Sequence, residues 1–115
     1  MTALEELRKK VASGHADMFD FAAVWPSATA YGPEKWQDAH KAYHGSINGA
    51  LALHEAVLPG WGWNCDSNHG ASVWVVTNRD GTWVVEKERS ETDNHSPARA
   101  WLLAILDALM AQERQ

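Results

Sequence analysis

Residues 60–88 carry apolar side chains on both faces of what reads as three β-strands, and four of the chain's seven tryptophans (Trp61, Trp63, Trp74 and Trp83) lie there. Trp74 sits within Val73-Trp74-Val75-Val76 and Trp83 opens Trp83-Val84-Val85. The apolar/polar alternation of a half-solvated strand is therefore missing. A small sheet of this composition needs cover on both faces, from helices of the same chain or from a partner. Strands are expected at 61–66, 71–77 and 82–88. Ser67-Asn68-His69-Gly70 and Asn78-Arg79-Asp80-Gly81 are short enough to make the three an antiparallel meander, the second with the residues of a type I turn closed by a left-handed glycine.

Helical signals flank the strands. Leu4, Leu7 and Val11 repeat at helical spacing over 2–12, with Thr2 as cap, acids early, bases late and Ser13-Gly14 as the stop. Residues 17–24 read as a short second helix ended by Trp25-Pro26, and 34–44 as a turn or two around Trp36 and Ala39. From a Ser46 cap, Ile47, Ala50, Leu51, His54, Val57 and Leu58 share one side of a helix that ends at Pro59-Gly60. Gly49 inside that helix costs up to about 1 kcal/mol relative to alanine, which points to a close packing contact there. The last helix has Ser96 as cap, Pro97 at its first position and an apolar stripe of Trp101, Leu102, Ile105, Leu106, Leu109 and Met110.

The expected architecture is a single α+β domain over 1–115. A helical or irregular N-terminal segment (1–42) precedes a helix–three strands–helix core (43–115), and the antiparallel sheet is the middle layer of an α-β-α sandwich.

Composition excludes several function classes. The net charge of −5 with only ten Lys and Arg argues against nucleic-acid binding, which draws on phosphate neutralisation. Cys65 is the single cysteine, so no intramolecular disulfide or CxxC motif exists, and a reducing cytoplasm is the expected setting. No leader pattern and no run of about twenty apolar residues is present, so neither export nor membrane insertion is expected.

The order Tyr43, Ser46, Ile47, Ala50, Leu51, then Gly60, Trp61, Trp63, Trp74, then Ser96, Pro97, Ala98, Ala100, Leu102, Leu103 resembles small phage- and prophage-encoded proteins with a phage α-β-α sandwich domain. The likeness covers about the last two-thirds of the chain. It implies a fold and an origin in a bacterial host's cytoplasm; the family has no assigned activity and brings no ligand set.

Two constellations bear on function. His40 and His44 are spaced i,i+4, and with Cys65 and His69 they would complete a tetrahedral zinc site, the basis of an alternative reading as a small metal-dependent hydrolase. The stretch His40-Lys41-Ala42-Tyr43-His44 lacks a metalloprotease glutamate, and surface histidines with a buried thiol explain the same residues. Burial would also raise the Cys65 pKa and make it a poor nucleophile. His54, on an apolar helix face, is expected to bond a backbone carbonyl. Trp25 and Trp36 lie where no strong amphipathic element is available to bury them, and they are the candidate protein-binding residues. The favoured expectation is a phage- or prophage-type accessory protein that acts without a cofactor by binding itself or a host or phage protein.

Overall fold

The structure, a computed structural model, describes residues 2–25, 35–65, 70–93 and 96–113. It consists of α1 (Ala3–Ser13), α2 (Met18–Val24), α3 (Lys35–Tyr43), α4 (Ile47–Val57), β1 (Gly62–Cys65), β2 (Gly70–Arg79), β3 (Thr82–Thr92) and α5 (Pro97–Glu113). The α+β class and the helices–strands–helix order are those read from the sequence.

Local chemistry sets the helix ends. The Thr2 hydroxyl accepts from the Glu5 N–H at 3.2 Å, and Gly14 closes α1 in the left-handed conformation. Asp17 accepts from the Phe19 and Asp20 N–H groups, and the Asp20 carboxylate returns a bond from the Asp17 N–H, completing a capping box. Ser46 caps α4 through the Gly49 N–H, and Ser96 caps α5 through the Arg99 N–H.

The three strands form an antiparallel sheet in the order β1-β2-β3. The β2–β3 hairpin turns on two residues, Asp80 (φ 52°) and Gly81 (φ 82°), between the paired Arg79 and Thr82. Positive φ at both positions makes this a type I′ turn, where the sequence suggested type I. The right-handed twist of paired strands favours the primed turn, and Asp-Gly accommodates it. β3 runs to Thr92, beyond the expected residue 88. A bulge lets it do so: Val73 pairs with Arg89 and Val75 with Glu86, so β3 carries one extra residue, with Lys87 at φ 55°.

The layering differs from the expected sandwich in one respect. α5 packs against all three strands on one side and against α1, α3 and α4 on the other, so this helix, rather than the sheet, is the middle layer. Ala100, Trp101, Leu102, Leu103, Ala104, Ile105 and Leu106 are all buried. Seven consecutive residues span about two turns and cover every direction around the axis, as a helix enclosed on all sides requires. Leu4, Leu7 and Val11 of α1, Phe21 of α2, Ala39, Ala42 and Tyr43 of α3, and Ala50 and Leu53 of α4 join one hydrophobic cluster with α5 and with Ala71 and Val73 of β2.

Arg8 ties the layers together. Its Nε donates to Asp107 Oδ1 of α5 at 2.8 Å and its Nη2 to Glu91 Oε2 of β3 at 2.5 Å. Burial and the neighbouring Asp107 raise the Glu91 carboxyl pKa, although Arg8 opposes the shift. Arg8→Met is expected to cost about 1–2 kcal/mol near neutral pH. That is less than the loss of one partner from a fully buried pair, because all three side chains keep some solvent contact. In the variant the two carboxylates face each other, so Glu91 holds a proton more tightly folded than unfolded. Lowering the pH through the carboxylate range should therefore narrow the gap to wild type, as read from urea midpoints.

Candidate functional site

With α5 on one side of the sheet, alternation along the strands decides what the other side carries. Trp63, Cys65, Ala71 and Val73 face the core, and the Trp63 ring stacks on Trp101 with centroids 4.3 Å apart. The next residues in register, Trp74 and Val76 on β2, therefore point outward. They are joined by Val85, paired with Val76, and Trp83, paired with Asn78. Three of these four are open to solvent: Trp83 is 69% exposed, Val85 52% and Val76 41%. Trp74 lies across β1, its indole filling the space that a Cβ at position 62 would occupy, so Gly62 is what lets the ring lie flat there.

The quartet has a polar border. At one end the Ser72 and Ser90 hydroxyls are 2.8 Å apart, and at the other Asn78 Oδ1 accepts from the Gly81 N–H. An apolar patch framed by polar groups, on a backbone held rigid by the β2–β3 ladder, is a surface suited to another protein. Phe19 is more exposed still, at 74%, and its neighbour Met18 is also exposed. Adjacent helical residues point about 100° apart, so these two do not build one face.

Trp25 and Trp36 are both half-buried and pack against the core cluster. The short helices expected at 17–24 and 34–44 form as α2 and α3, and they carry both tryptophans onto the core, which their weak apolar pattern did not show. Trp25 borders a groove of about 450 Å³ with Leu4, Val24 and Leu109. The most exposed of the described tryptophans is Trp83, at 69% against 43% for Trp63, although its place in a strongly apolar strand made it look like core.

His40 and His44 do come together on α3, with Nε2 atoms 3.1 Å apart and rings nearly perpendicular. Burial, and secondarily His44, lowers the His40 pKa; Asp17 acts in the opposite direction. Cys65 is half-buried at the end of β1, facing the core, and His69 lies outside the described residues. Among the described residues no cluster of three or more His, Cys, Asp or Glu is placed to hold a metal ion, so Cys65 does not join the histidine pair. No described helix is long and apolar enough to cross a membrane.

His54 makes the expected backbone bond and a second one. Its Nε2 is 3.0 Å from the Trp61 carbonyl oxygen, and its Nδ1 is 3.2 Å from Trp101 Nε1. An indole N–H can only donate, so Nδ1 accepts and Nε2 carries the hydrogen given to Trp61. The ring is thus held neutral, and burial lowers its pKa despite the Trp61 bond. Unfolded, this imidazole takes a proton below about pH 6.5; folded, it resists. The unfolded chain then binds more protons, so this stabilisation is complete above that value and is lost as pH falls toward the folded pKa. Urea midpoints should drop between neutral pH and about pH 5, and His54→Gln should flatten part of the drop, His40 contributing in the same direction.

Comparison with known proteins finds no matching family, no matching curated protein and no matching solved structure.

Proposed function

We propose that this is a non-enzymatic binding protein that engages a second protein, or another copy of itself, through the outer face of its β2–β3 hairpin. The observation that carries the reading is the register-fixed quartet of Trp74, Val76, Trp83 and Val85, with Trp83 the most exposed. Tryptophan is enriched at binding hot spots, and a rigid sheet presents it with little ordering cost. Cys65, one of the four ligands of the alternative hydrolase, faces the core apart from the histidine pair, which favours the binding reading. The resemblance of the segment from Tyr43 to Met110 to phage α-β-α sandwich proteins supports a phage- or prophage-type accessory role, with a host or phage protein as partner in the bacterial cytoplasm.

The test compares wild type with Trp83→Ser/Val85→Ser, in affinity capture from bacterial lysate and in light scattering. Both positions are exposed, so stability should change by no more than about 0.5 kcal/mol each. Loss of a hot-spot tryptophan should weaken association by about 2 kcal/mol or more, roughly 30-fold. Captured proteins and oligomeric state identical in the two chains would refute the proposal.

A further inference from the structure

We propose that His40 and His44 form a two-imidazole chelating site for a divalent late first-row transition-metal ion, independent of the hairpin face. The i,i+4 spacing puts both rings on one side of α3, and their Nε2 atoms are 3.1 Å apart. Two imidazole nitrogens each about 2.0–2.1 Å from one ion, in tetragonal or tetrahedral geometry, stand roughly 2.9–3.4 Å apart. The observed gap lies inside that interval, so chelation needs ring rotation and no backbone shift.

Aromatic neighbours also limit the range over which the two rings rotate. His40 sits edge-on to Phe21, with centroids 5.7 Å apart, and His44 edge-on to Tyr43 at 5.1 Å. Less rotamer freedom remains to be lost on binding. Without metal, one Nε2–H is shared between the two nitrogens. Binding shifts that hydrogen to Nδ1 of the same ring, so both Nε2 lone pairs face the ion and no net proton is released. The Asp17 carboxylate, near enough to favour positive charge on His40, favours a cation here as well. His44 is exposed, which leaves the remaining coordination positions to water. Imidazole donors suit zinc, nickel and copper, and the general affinity order puts Cu²⁺ first.

The test titrates the full chain with Cu²⁺ alone near neutral pH, followed by electron paramagnetic resonance, with far-UV circular dichroism as a check on folding. One equivalent should bind with nitrogen hyperfine structure from two imidazoles. His44→Gln, at an exposed position that leaves the Phe21 contact intact, should weaken binding about 100-fold by turning a chelate into a single donor. His40→Gln should do the same, and His15→Gln, elsewhere on the surface, should change nothing. Unchanged stoichiometry and affinity in folded His40→Gln/His44→Gln would overturn the assignment, as would a wild-type dissociation constant weaker than about 1 mM.

Discussion

Replacing Trp101 by alanine is expected to destabilise the chain by about 3–5 kcal/mol, a large share of the roughly 5–15 kcal/mol that holds a domain folded. Trp101 is fully buried in α5, stacks on Trp63 of the sheet and donates to His54 of α4, so one side chain joins the middle layer to both outer ones. Truncation opens a cavity between the layers and strips the buried His54 Nδ1 of its donor. Trp101→Phe separates the two effects. It keeps an aromatic ring against Trp63 but leaves Nδ1 without the indole N–H, which should cost about 1–3 kcal/mol through the hydrogen bond together with some lost packing. Chemical denaturation of both variants gives the values. A loss below about 1 kcal/mol for Trp101→Ala would mean that α5 is not the enclosed helix described above.

Gly49→Ala should destabilise the chain even though alanine is the better helix former. A Cβ at this position of α4 would lie 2.7 Å from the Lys41 Cβ, 2.8 Å from the Asp38 carbonyl oxygen and 3.1 Å from the Ala42 nitrogen, all on α3. Two of these are backbone atoms and the third is fixed to the backbone, so none can swing aside and the helices must separate. Overpacking of this kind costs about 1–3 kcal/mol or more, against a propensity gain of at most about 1 kcal/mol. The expected net loss is about 2 kcal/mol. Asn48→Ala, one residue away and exposed, serves as the control and should be neutral or slightly stabilising. A Gly49→Ala chain as stable as wild type would show that α3 and α4 are not in backbone contact.

What could be read from the sequence was what is decided locally. The caps at Thr2, Asp17, Ser46 and Ser96, the close approach at Gly49 and the carbonyl partner of His54 depend on residues a few positions apart or on a face that periodicity defines. The layering does not. Apolar residues on both sides of Val73-Trp74-Val75-Val76 show that neither face is built for water, but not whether a helix or a partner covers each one. The α5 stripe, read as one face, turned out to continue around the helix, because Ala98, Ala100, Ala104 and Ala108 are small enough to seem incidental in a sequence yet are buried. The same ambiguity hid which tryptophans are exposed. Trp25 and Trp36, in an irregular stretch, are carried onto the core by short helices, while Trp83 is left outside by strand parity beyond a bulge at Lys87. Lysine carries no signal for the positive φ that makes that bulge.

The described residues leave the outer face of the hairpin bare. Hydroxyl-radical footprinting of the purified protein at low concentration, resolved by mass spectrometry to each tryptophan, tests this directly. Trp83 is predicted to oxidise fastest of the described tryptophans and Trp101 slowest, with Trp63, Trp25 and Trp36 between them. Trp83 protected to the level of Trp101 would contradict the account, because the chain's own residues would then cover the face assigned to a partner.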